Sequence, residues 1–143
     1  MAPTLQATTL PFIYVFNDNA VNPYFPTTVQ EALTKINSGP VGAALLTAIG
    51  GAAVAPGPGG FKVKITRPQV TGIIGSPGAE GGSRAVPFNE VDARGGAGCL
   101  VACFWNPNIY NTPAAAGQRP AYIGLAHELV HCMHSLMGTM KAG

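Results

Sequence analysis

All three histidines of the chain fall within eight residues, His127-Glu128-Leu129-Val130-His131-Cys132-Met133-His134, and the first five read H-E-x-x-H. Side chains four apart on an α-helix share a face about 6 Å apart along the axis, so two imidazole nitrogens can converge on one Zn²⁺ at about 2.0–2.1 Å. His127 and His131 are therefore candidate metal ligands. Glu128, next to the first of them, is placed to take a proton from a metal-bound water as it attacks a carbonyl, then to return it to the leaving amine. The chemistry is zinc-dependent hydrolysis of a peptide bond. His134 shares the stripe but stands about 10 Å along the axis from His127, too far for both to reach one ion from a straight helix. It reads as a supporting or structural residue. The competing reading is a polar helix face with hydrogen-bonded histidines. Against it stands the cost of several kcal/mol for burying two imidazoles and a carboxylate without a partner.

A helix must carry these residues, and its limits are marked. Pro120 can take the first helical position, Gly138 is the natural stop, and the residues between are strong helix formers with no internal proline. Ile123, Leu125, Leu129, Val130, Met133, Leu136 and Met137 point in nearly every direction, which predicts a central, buried helix. Upstream, Leu10 to Phe16 is β-branched and aromatic and stops at Asn17-Asp18-Asn19, a strand ending in a turn. Thr28 and Glu31 form a capping box ahead of Val29, Ala32, Leu33 and Ile36 at helical spacing, and Ser38-Gly39 ends that run. Pro40 opens a second helix, Val41 to Ile49. Ala55 to Gly60, rich in Pro and Gly, separates these helices from a β-rich middle containing Phe61 to Thr66, Gln69 to Ile74 and Cys99 to Trp105. Gly75 to Gly98 reads as a mobile surface region with at most one short strand near Arg84 to Phe88. The expected fold class is α+β: a mixed, largely antiparallel sheet packed on the buried motif helix, with the N-terminal helices covering the far side.

Length and charge bound the rest. The 143 residues fit one domain, 1–143, and 47% apolar composition meets its ordering entropy although charged residues make up only 10%. Eight Lys and Arg against six Asp and Glu leave +2 and no basic stripe to track a phosphate backbone, which argues against nucleic acid as a partner. The first basic residue is Lys35, so the N-terminus lacks the positive region of a Sec signal. The expected location is the cytoplasm, or outside by a non-Sec route. No apolar run approaches the roughly 20 residues of a membrane helix. Cys99, Cys103 and Cys132 read as small buried apolar residues rather than a disulfide or thiolate ligands.

The stretch Arg119-Pro-Ala-Tyr-Ile-Gly-Leu-Ala-His-Glu-Leu-Val-His-Cys-Met-His-Ser-Leu-Met-Gly138 resembles the NleD/HopH-like effector-type zinc metallopeptidases of bacteria, a zincin group. The shared pattern is Pro ahead of the helix, L-x-H-E-L-x-H at its centre and Gly at its end; Val29 to Ile49 and Gly98 to Pro107 are weaker echoes. The resemblance implies an endopeptidase acting on protein substrates, with Zn²⁺ as cofactor, His127 and His131 as ligands and Glu128 as general base. It also implies that Cys99 to Trp105 is the sheet edge on which an extended peptide pairs. One departure stands out. Zincins of this kind take a third protein ligand from beyond the second His, and Ser135 to Gly143 contains no Asp, Glu or His. Three explanations remain open: an upstream ligand folds back, with Glu90, Asp92, Glu80 and Asp18 as candidates; the sequence is a fragment, C-terminally incomplete; or the fold persists without catalysis. The rival function is a non-catalytic, self-assembling structural protein, which the low charge and apolar strands would suit.

Overall fold

The computed structural model describes residues 4–17, 24–67, 83–106 and 121–140. Five strands and four helices follow in the order β1 (Thr4–Ala7), β2 (Ile13–Asn17), α1 (Phe25–Asn37), α2 (Pro40–Gly50), β3 (Val63–Thr66), β4 (Arg84–Pro87), α3 (Glu90–Arg94), β5 (Val101–Phe104) and α4 (Ala121–Met137). The strands form one sheet in the order β1-β2-β3-β5-β4.

The sheet is mixed, with its directions divided by position. The outer pairs β1/β2 and β4/β5 are antiparallel, whereas the inner pairs β2/β3 and β3/β5 are parallel. Parallel neighbours need a crossover. Helices α1 and α2 supply it between β2 and β3, and the segment holding β4 and α3 lies between β3 and β5. The expected antiparallel character is therefore confined to the two edges. Cys99 to Trp105, expected at an edge, is internal: β5 pairs with β3 on one side and β4 on the other, and β4 is the edge strand.

Register explains the single core. Ile13 stands beside Val63, which stands beside Val101; Val15, Ile65 and Cys103 form the next row. All six side chains are buried and face one way. Phe25, Val29, Leu33 and Ile36 of α1, Leu46 and Ile49 of α2, and Leu125, Leu129, Cys132 and Leu136 of α4 close over them in one cluster. The expectation that N-terminal helices cover the far side of the sheet is not met. Helices α1 and α2 pack against α4, and α1 against β2, on the same side as the motif helix. The reason is their own patterning: each carries one apolar stripe, and α4 offers both of them a partner.

Local chemistry sets several boundaries. Helix α1 starts ahead of the expected capping box, with Pro26 in its first turn and the Thr28 hydroxyl donating to the Tyr24 carbonyl at 3.1 Å. Proline's missing N–H is no loss in a first turn, so the helix nucleates there. The short helix α3, unforeseen within a Gly-rich stretch, is capped by Asn89, whose Oδ1 accepts the Asp92 N–H at 3.1 Å. Strand β1 was likewise unforeseen. Gln69 to Ile74 and Pro120, expected as a strand and a helix start, lie outside the described residues.

Helix α4 ends as its glycine foretells. Gly138 has φ +73°, the Thr139 N–H bonds the His134 carbonyl at 2.9 Å, and the Gly138 N–H reaches the Ser135 carbonyl at 3.3 Å. This is a Schellman cap. The cap is clamped to α3 and the approach to β5: Gly96 N–H to Gly138 O, Met140 N–H to Ala93 O, and Cys99 N–H to Ser135 O, all at 2.9–3.0 Å. Gly98, at φ +75°, sits so close that a Cβ would lie 2.0 Å from the Leu136 carbonyl oxygen. Only glycine fits there.

Candidate metal centre

Helix α4 reaches the site from the core outward. Leu125, Leu129, Cys132 and Leu136, spaced four, three and four residues apart, are all buried and anchor one stripe against the sheet and the other helices. At about 100° per residue, His127 and His131 stand on the opposite side. Both are exposed, and Glu128 between them is half-buried. The expectation of a central, buried helix is thus corrected: Val130 (39%) and Met137 (43%) are also open to solvent. The desolvation cost expected of the motif does not arise at exposed rings.

What the helix does supply is convergence. His127 Nε2 and His131 Nε2 lie 3.3 Å apart, their ring centroids 4.9 Å apart and their planes at 83°. Tetrahedral zinc at ordinary Zn–N lengths separates two of its nitrogen ligands by about 3.3–3.4 Å. The separation of the two nitrogens matches that value. Such a separation also suits an N–H···N bond in which one neutral ring donates to the other.

The remaining expected residues are placed differently. His134 is half-buried, and its Nδ1 lies 2.9 Å from Thr139 Oγ1, which ties it into the helix cap. Glu90 is paired with Arg94 on α3, and Asp92 sits in the capped first turn of the same helix. Among the described residues no three His, Cys, Asp or Glu side chains gather as a metal-binding group, so neither Glu90 nor Asp92 joins the histidines. Asp18 and Glu80 lie outside the described residues.

The cysteines are buried free thiols. Burial pushes the Cys132 thiol well above its usual range, and the adjoining Cys103 and then Glu128 add to the effect. A thiol held protonated is a poor metal ligand. The short strand expected near Arg84 to Phe88 is present as β4, but its place was not foreseen: it is an edge strand beside the motif helix, contacts α4 and is fastened to the end of β5 through Ser83 Oγ, which accepts the Asn106 N–H at 3.0 Å. Its signal, Ala85-Val86-Pro87 among glycines and prolines, is too short to distinguish an edge from a loop.

With that sheet, helix and histidine pair described, the fold is recognisable as similar to the zincin-like protease fold. The catalytic domain of Clostridium botulinum neurotoxin serotype F superposes with a TM-score of 0.67 at 17% identity, covering 90% of this chain and 48% of that one. The botulinum neurotoxin serotype C1 light chain protease gives 0.64 at 16% identity over 90% and 47%. The zinc-removed apo form of the type C light chain gives 0.64 at 16% over 95% and 51%. The chain thus spans about half the length of these neighbours. It belongs to the Peptidase_M91 effector protein family, whose model matches residues 15–143. No curated protein matches it.

Proposed function

We propose that this chain is a zinc-dependent metalloendopeptidase that hydrolyses peptide bonds in protein substrates, as an effector. His127 and His131 hold the metal through Nε2, and Glu128 is the general base. The observation that carries the reading is the 3.3 Å approach of the two Nε2 atoms on one helix. Membership of a peptidase family supports it.

Bound zinc supplies Lewis acidity toward the scissile carbonyl and lowers the pKa of a water in its coordination shell. The chain's own residues do the rest. The α4 backbone fixes both imidazoles at one spacing, and the core stripe Leu125, Leu129, Cys132 and Leu136 locks the helix that carries them. The Glu128 carboxylate takes the proton of the attacking water and delivers it to the departing amine. An extended substrate pairs with the edge strand β4, the strand that both ends the sheet and packs on α4. Within this sequence, Asp18 and Glu80 are the carboxylates left to complete the protein ligand set.

Incubation of a denatured bacterial or human protein extract with the zinc-loaded chain, read by mass spectrometry of new N-termini, tests the reading. New termini should appear with the wild type and vanish with Glu128→Gln or after chelation. Equal cleavage by Glu128→Gln would remove the general base from the mechanism.

A further inference from the structure

Among the described residues no helix covers the opposite face of the sheet, and the composition of that face is one-sided. Register places Ala7, Tyr14, Lys64, Ala102 and Val86 in one row across five strands, with Leu5 beside Phe16 and Phe104 beside Arg84 in the row next to it. The described strands contain no Asp or Glu. The acids of the described residues all lie on helices: Glu31 on α1, Glu90 and Asp92 on α3, Glu128 on α4. The two cations of the sheet face instead rest on aromatic rings. Lys64 Nζ stands 5.5 Å from the Phe16 centroid and 5.6 Å from those of Phe61 and Phe88, and the Arg84 guanidinium 5.3 Å from Phe104. Among the described residues no carboxylate lies against either cation. Beside them Phe88 is 53% exposed and Val86 36%.

We propose that this face docks an acidic peptide segment bearing aromatic residues, apart from the histidine pair on the other side of the sheet. A cation held over ring faces keeps its outward N–H groups free and is positioned before any partner arrives, so a carboxylate can bind without first ordering a lysine or arginine. Phe88, about half exposed, and the neighbouring rings of Tyr14, Phe16 and Phe104 offer stacking area. Two cations match one or two carboxylates. They are too few to follow a nucleic-acid backbone, where affinity grows with the number of phosphates neutralised, or to hold an anionic bilayer, which takes clusters of four or more.

The test is fluorescence anisotropy of a labelled decapeptide of alternating Glu and Tyr with the full chain, run beside a uridine decamer and phosphatidylserine vesicles. Glu128→Gln serves as background, so the reading of the metal centre does not enter. Peptide binding should weaken at least about tenfold in Lys64→Glu/Arg84→Glu and also fall as salt rises. The exposed single variant Arg84→Glu, with circular dichroism as a fold check, should weaken it by about threefold or more. Absent peptide binding, binding indifferent to both variants and salt, or tighter charge-dependent binding of the uridine decamer or the vesicles would overturn the proposal. So would self-association, measured by ultracentrifugation, that the double variant abolishes, since a second copy would then be the occupant.

Discussion

The two imidazoles of His127 and His131 meet at 3.3 Å because four residues of helix separate their Cα atoms and both rings turn outward from the same stripe. On this account Glu128 is spent on proton transfer and not on holding metal. Glu128→Gln should therefore keep zinc, measured by metal analysis, while peptide hydrolysis falls by about 10²–10⁴. Cys132 makes a second prediction. Its folded-state pKa is raised by burial, so the folded chain favours the protonated thiol. The stabilisation is fully present below the ordinary thiol pKa of about 8.5 and is lost as pH rises above it toward the raised folded value, because the unfolded chain ionises first. Urea unfolding followed upward from pH 8 should show stability declining, with a shallower decline in Cys132→Ala. At this scale the pairing of the two rings was legible. H-E-x-x-H names two rings and a carboxylate at a spacing only a helix converts into convergence, and the three cysteines were readable as buried apolar residues. The exposure of the rings was not legible, because Val130 and Met137 are as apolar as Leu129 and Leu136, and only packing decides which of them meets the core.

Helix α4 is held at its C-terminal end by backbone, and glycines are what permit it. Gly98→Ala would drive a Cβ into the Leu136 carbonyl at a left-handed φ, where no flexible side chain can yield. Chemical denaturation should show a loss of at least about 2 kcal/mol. Gly124, inside the same helix with no atom within 4 Å of the place a Cβ would take, is the contrast: Gly124→Ala should raise stability by about 0.5–1 kcal/mol. Apolar spacing located α1, α2, α4 and β3, and β-branched, aromatic and apolar content located the centres of β2 and β5. Neither signal located β1 or α3. Thr4–Ala7 is too short to display a period, and Glu90–Arg94 depends on the Asn89 cap within a stretch whose glycines read as loop. Parallel pairing in the middle of the sheet was hidden for another reason, since strand order is a property of crossovers and not of any one strand's residues.

One core joins the sheet to α1, α2 and α4, from Ile13 to Leu136, so the histidine pair rides on the stability of the whole chain. Zinc bound by the folded state alone must then stabilise the fold. At a free concentration one hundred times its Kd the gain is about 2.7 kcal/mol, which raises the Tm of a chain this size by roughly 5–10 °C; His131→Ala should lose that shift. The family assignment and the likeness to the botulinum light chains agree with a protease fold, while the chain spans about half of those neighbours. The measurement closest to the central claim is the zinc content of the chain purified without chelator, beside His127→Ala and with folding confirmed by circular dichroism. The account predicts about one zinc per wild-type chain and none in the variant. A folded wild type without zinc, and unable to take it up from a zinc-buffered solution, would contradict it.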